Sequence, residues 1–212
     1  MLNALSDVAS RRPAFTLIEL LVVLSIVLIL GGLTVGVLPG VRNAQARAQA
    51  QAELVLIAEG LEQFKVRYGD YPWISSTKST QPSKNPINLN ATKLFHSLWG
   101  WMALEKNSSG MLVMLDLTKP GERFIDPMHL NFQTMLPSAD TPHSNTYLVD
   151  PWGNAYVYAY NKSNAGCTWD NFGYVLYSQG PDGACVEVDA GGRLTDAVRD
   201  ASKNRDNIYS EW

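Results

Sequence analysis

Few residues of this 212-residue chain have the type and spacing that chemistry requires. The first is Glu19. No other ionisable side chain occurs between Phe15 and Val41, so this carboxylate stands alone at the head of an apolar run. Inside a membrane helix such a charge costs roughly 2.5–3.5 kcal/mol or more, and it then needs a partner and a purpose. The second group is Cys167 and Cys185, the only two cysteines. The third is a set of acids near the carboxy terminus, Asp182, Asp189 and Asp206. They lack the D-x-D-x-D-G spacing of an EF-hand, and taken alone they are solvated loop acids. Catalytic patterns are missing. There is no G-x-S-x-G elbow, no H-E-x-x-H helix and no Walker loop, and Ser178 before Gln179-Gly180 does not make an elbow. His96, His129 and His143 are scattered. The expectation is a protein that is not an enzyme.

Composition narrows the field further. Charged residues make up 17% of the chain, against about 25% in an average soluble domain. The deficit is concentrated before Arg42. A formal net charge of −3 and a pI near 5.6 give no basic face for nucleic acid. Three His and two Cys are too few for a zinc-rich module.

The elements that must position these residues follow from periodicity. Residues 1–14 are a short polar leader that includes Arg11-Arg12. Phe15 begins an apolar segment, and the uncharged stretch from Leu20 to Val41 reaches the roughly 20 residues that span a bilayer. Residues 15–41 are therefore read as a transmembrane helix, and the two arginines before it favour a cytoplasmic amino terminus. A cleaved secretory signal would have a shorter core of about 7–15 residues. A buried core helix would rarely be so free of polar side chains. A plain signal anchor remains open, with Glu19 against it. Residues 42–72 form a second, amphipathic helix. Ala44, Ala48 and Ala52 recur at spacing four, and Leu54, Ile57, Leu61, Phe64 and Tyr68 complete one apolar face. Glu53, Glu59, Glu62, Lys65 and Arg67 are expected on solvated positions, and Gly69 to Pro72 ends the helix. Residues 75–90 read as a surface loop, 91–104 as a short helix and 111–117 as a buried strand. Trp99 and Trp101 are expected to pack against the body, with an exposed contact patch as the alternative. Asp150 to Tyr160 is a turn followed by a strand, and residues 172–178 are a second strand running into a tight loop at Gln179 to Gly183. A third strand is expected at 185–188. Cys167 and Cys185 flank the second strand. A disulfide between them would close a loop of about 19 residues and stabilise the fold by about 3 kcal/mol; two unpaired thiols are the alternative.

The start of the chain carries a resemblance. Arg11-Arg12-Pro13-Ala14 followed by Phe15-Thr16-Leu17-Ile18-Glu19 is similar to the amino terminus of type IV pilins and type II secretion pseudopilins. Three further segments resemble the major pseudopilin of type II secretion: LEQFKVRYGDYP at the end of the second helix, DPWGNAYVY with YSQGPDG, and the closing RDNIYSEW. The resemblance implies an α+β fold, in which a long amino-terminal helix packs its second half on a small carboxy-terminal antiparallel sheet. It implies a cut between Ala14 and Phe15 by prepilin peptidase, with methylation of the new amine. Ala14 stands where the family usually has Gly, and Pro39 lies a few residues later than the family's usual helix proline. Glu19 would pair with the Phe15 amine of a neighbouring subunit, which supplies the missing partner.

The resemblance also implies a calcium site in the carboxy-terminal loop. Asp182 and Asp206 match side-chain ligands, Gln179 and Ala184 fall where backbone carbonyls are used, and Asn207 stands where a second acid is common. Asp189 could substitute. Residues 73–149 are not covered and are taken as a surface insertion, ahead of a carboxy-terminal sheet over 150–212. The implied function is that of a structural subunit of a type II secretion pseudopilus, a periplasmic filament anchored in the bacterial inner membrane. Its partners would be copies of itself, minor pseudopilins, the prepilin peptidase and the inner-membrane secretion platform, with no nucleic acid. A type IV pilus subunit and a non-polymerising, signal-anchored binding domain are the alternatives.

Overall fold

The first element, α1, is a helix from Leu17 to Tyr68. The computed structural model describes residues 15–73, 89–133, 146–160, 169, 173–185, 191–193, 199–202 and 204–210, with backbone alone at 33–39 and 89. The chain divides after Arg42 into two compact units, residues 1–42 and 43–212.

In the second unit α1 runs from residue 43. It ends where expected: Gly69 takes φ +88°, which suits glycine, and its N–H donates to the Lys65 carbonyl at 2.7 Å. Leu54, Ile57, Leu61 and Phe64 are all buried, so the apolar face predicted from spacing is the core face. Two expectations fail on this helix. Ala44, Ala48 and Ala52, read as part of that face, are exposed. Glu53 is not solvated but 2% exposed, on the same face as Ala50 and Ile57. Its Oε1 accepts from Gln49 Nε2 at 2.8 Å and from Asn131 Nδ2 at 3.0 Å, and its Oε2 accepts from the Tyr156 hydroxyl at 2.6 Å. Burial raises its proton affinity above the ordinary carboxylate value, and the hydrogen bonds only partly oppose that.

The expected short helix is α2, Leu89–Leu98, and it ends earlier than predicted. The chain then turns at Gly100 into β1, Met102–Lys106, which pairs antiparallel with β2, Leu112–Asp116. A 3-10 helix, Pro127–His129, leads into β3, Asn131–Phe132, which pairs antiparallel with β4, Leu148–Val149. The segment 89–133 is not a surface elaboration. It supplies Leu94, Phe95, Leu98, Trp101, Leu104 and Phe124 to the main core, beside the residues of α1. Trp99 and Trp101 are buried, as expected from packing. Trp99 lies against Phe95 and Phe132, with the Arg123 guanidinium 4.5 Å from its ring centre. The strand expected at 111–117 is β2, but it is only half-buried over residues 112–114.

The carboxy-terminal sheet has the order β5-β6-β7, where β5 is Val157–Ala159, β6 is Val175–Ser178 and β7 is Ile208–Tyr209. Both pairings are antiparallel, which bears out the α+β architecture. Among the described residues the third strand of this sheet is β7; of the strand expected at 185–188, Cys185 is outside any strand and 186–188 lie outside the described residues. The alternating tyrosines of the DPWGNAYVYAY segment face the core. Tyr156 and Tyr158 are fully buried, and the Tyr158 hydroxyl donates to the Pro72 carbonyl at 3.0 Å.

Candidate assembly site and carboxy-terminal loop

In the first unit, Thr16 precedes the first turn of α1 and Glu19 lies three residues on. Their side chains cap the helix reciprocally. Glu19 N–H donates to Thr16 Oγ1 at 3.3 Å, while Glu19 Oε2 accepts from Thr16 N–H at 3.2 Å and from the Thr16 hydroxyl at 3.1 Å. This capping box satisfies amide groups that the first turn leaves without intrahelical partners, and it places the carboxylate at the positive end of the helix dipole. The Thr-x-x-Glu spacing before an apolar run was a legible signal for it. A carboxylate offers about four lone-pair sites, so the capping bonds leave acceptor capacity at Glu19.

Beyond Glu19 the helix surface is apolar. Every large apolar side chain from Phe15 to Leu30 is about half exposed or more, with Phe15 at 81%. The Ser25 hydroxyl donates to the Leu21 carbonyl at 2.8 Å, so a polar group is satisfied inside the run. Such an all-round apolar helix belongs inside a bilayer or a protein assembly. Among the described residues, however, no helix is long and apolar enough to cross a membrane. Ala14, on the other side of the expected cut, lies outside the described residues.

Residues 10–35 match the family model of the prokaryotic N-terminal methylation motif. The chain carries a prepilin-type signal. A motif of this kind is consistent with a membrane-anchored amino terminus. It includes Phe15, the Thr16–Glu19 capping box and the exposed apolar face up to Leu30. No curated protein and no solved structure matches the chain.

The second candidate site lies at the end of β6. Gly180 (φ +69°) and Gly183 (φ +61°) turn the loop. A Cβ at Gly180 would come within 2.5 Å of the Asp206 carbonyl, so glycine lets two distant segments meet. Asp182 N–H donates to Asp206 Oδ2 at 3.3 Å, and Asp182 Oδ1 accepts from Ala184 N–H at 2.8 Å. Asn154 Nδ2 donates to the Gly180 carbonyl and Gln179 Nε2 to the Ala155 carbonyl, both at 2.8 Å. The sequence reading did not anticipate this tie between the loop and the Asp150–Asn154 turn. Asp182 and Asp206, distant in sequence, are thus side by side. Asn207 Nδ2 donates to Asn204 Oδ1 at 3.2 Å, whereas Asn207 Oδ1 is buried and has no hydrogen-bond partner among the described residues. A buried amide oxygen without a donor fits a cation ligand. Among the described residues no three acidic, His or Cys side chains cluster as a metal site. Asp189 and Cys167 lie outside the described residues, and with Cys167 the expected disulfide. Cys185 is half-buried, its Sγ 3.6 Å from Gln179 Oε1.

Proposed function

We propose that this chain is a structural subunit of a type II secretion pseudopilus, made as a precursor, cut between Ala14 and Phe15, and polymerised through its amino-terminal helix. The observation that carries this reading is the methylation-motif match at residues 10–35 around a lone carboxylate at the head of an exposed, uncharged helix. Residues 15–41 cross the inner membrane with the amino terminus inside, and in the filament the same apolar surface becomes its core. Glu19 accepts the Phe15 amine of a neighbour through the lone pairs that Thr16 leaves. Two opposite charges in low dielectric attract strongly, and neither is stable there alone. The partners are further copies of this chain, minor pseudopilins, the prepilin peptidase and the inner-membrane secretion platform. The role is mechanical, with no catalytic group. The DPWGNAYVY, YSQGPDG and RDNIYSEW segments favour secretion over a type IV pilus.

Calcium belongs to the same reading. Asp182, Asp206 and the Asn207 amide oxygen would hold it, with the carbonyls of Gln179 and Ala184. The ion would bind the two acidic side chains and stiffen the loop. A disulfide between Cys167 and Cys185 would be structural.

The test is intact mass and amino-terminal sequence of protein recovered from host membranes, for the wild type and for Glu19→Ala. The expected results are a chain beginning at N-methylated Phe15, and a Glu19→Ala variant that inserts normally but yields no filaments. A chain that keeps residues 1–14 in the presence of active peptidase would overturn the reading, and so would normal filaments from the variant. Loss of export from a host lacking the chain supports secretion; loss of adhesion, motility or DNA uptake with export intact would assign a type IV pilus instead.

A further inference from the structure

We infer that Glu53 is a proton-operated latch: it ties α1 to β3 and to the carboxy-terminal motif, and the fold it ties is more stable with its carboxyl neutral than charged. The geometry is that of a joint. Glu53 is set in the core face of α1, and its carboxyl reaches two segments far from it in sequence: Asn131 of β3, and Tyr156 just after the Asp150–Asn154 turn. Gln49, one turn earlier on α1, completes the set. All three partners are neutral donors. Among the described residues, the titratable groups that act on the carboxyl are the Tyr156 phenol and the Asp150 carboxyl, and no cation is among them. Asp150 is itself a buried carboxyl, 1% exposed, held by the Ser178 hydroxyl at 2.7 Å and by the N–H groups of Trp152 and Asn154.

A buried carboxylate held only by neutral donors, with a second carboxyl nearby, is unfavourable in its charged form. Burial is the largest cause of the raised proton affinity of Glu53, and Asp150 adds to it; the Tyr156, Gln49 and Asn131 bonds oppose it. Tyr156 is held protonated far beyond its ordinary range, chiefly by burial and then by Glu53, so it stays a donor across the working pH range. The folded chain therefore keeps a proton on Glu53 at pH values where the unfolded chain has released it to solvent. Stability is full below the ordinary carboxyl value of 4.5 and is lost as pH rises through the folded value. Asp150, also raised chiefly by burial, has the same sign. The proton comes from solvent and takes one carboxyl lone pair, which leaves about three for the three donors, and no covalent bond of the chain changes. If the unit lies outside the cytoplasm, as proposed above, the pH of the surroundings sets the latch, although the latch itself does not rest on that reading.

The experiment is thermal unfolding of the full chain in detergent micelles between pH 4.5 and 8, for the wild type, Glu53→Gln, Asp150→Asn and Tyr156→Phe. The wild-type Tm is expected to fall by about 3–5 °C for each pH unit by which the Glu53 proton affinity is raised. Glu53→Gln should flatten that fall, and Asp150→Asn should leave most of it. A Glu53→Gln profile parallel to the wild type, or loss of the fall in Asp150→Asn alone, would overturn the inference. Should the glutamine variant fail to fold, Tyr156→Phe decides. Without the phenol donor the charged form is less favourable, so the midpoint of the fall should move to higher pH; an unmoved midpoint would overturn the latch.

Discussion

At position 60 a single hydrogen atom sets how closely α1 can be approached. A Cβ on Gly60 would stand 2.7 Å from Ile125 Cγ2 and 2.9 Å from the Phe124 carbonyl oxygen. Alanine is intrinsically better than glycine in a helix interior by about 1 kcal/mol. Overpacking costs about 1–3 kcal/mol, and a backbone carbonyl cannot rotate away as a side chain can. The steric loss should win, so Gly60→Ala is expected to lower stability by about 1 kcal/mol and Tm by about 2–4 °C. Urea titration checks the sign; a stabilised variant would show that the 124–125 segment gives way. Periodicity could not have shown this contact, because a glycine leaves no mark on an apolar stripe. The same blindness explains Glu53. Its spacing from Ala50 and Ile57 puts it on the core face, but its charge argued for solvent, and its three donors come from positions 49, 131 and 156. Pairing with distant neutral donors has no local signature. The Thr16–Glu19 capping box does have one, in the Thr-x-x-Glu spacing itself.

Among the elements, those with a strong period were legible and those without one were not. The buried face of α1 and its stop at Gly69 follow from three- and four-residue steps and a helix breaker. β5 and β6 follow from alternating tyrosines and the turns beside them. β7 is two residues long and β3 and β4 are no longer, too short for any alternation to show. In the segment 89–133 the short helix, the strand at β2 and the packing of Trp99 and Trp101 were legible. Its place in the core was not, because no family pattern covered it and its mixed composition resembled surface. In the fold its aromatics fill the space between α1 and the sheets. Phe95 is fully buried and stacks on Trp99 and Phe132, so Phe95→Ala is expected to cost about 3–5 kcal/mol. Met128 is 85% exposed on the 3-10 helix, and Met128→Ala should change stability by less than about 0.5 kcal/mol. Chemical denaturation of the two variants separates a core role for this segment from a decorative one; equal small effects would return it to the surface.

For the molecule as a whole, the division after Arg42 separates two kinds of surface. Residues 15–32 present apolar side chains outward, whereas the unit from residue 43 buries its apolar residues in its own core. A fragment of residues 43–212 should therefore be soluble and unfold in one cooperative transition, because it keeps the core and loses the exposed run. This fragment also isolates the loop of Asp182 and Asp206. The carboxylates of Asp182 and Asp206 and the buried Asn207 amide oxygen are the side-chain oxygens a cation would take, so a bound ion would stabilise the fold by mass action. With calcium at about 100 times its dissociation constant, that gain is about 2.7 kcal/mol. Adding chelator should then lower the Tm of the fragment by roughly 5–10 °C. Asp182→Ala should abolish the difference between calcium and chelator while leaving the transition cooperative. An identical wild-type transition with and without chelator would remove the metal and leave the loop held by Asn154, Gln179 and the Asp182–Asp206 contact alone. A broad, non-cooperative transition in the fragment under both conditions would show instead that the unit needs residues before Asn43 to fold.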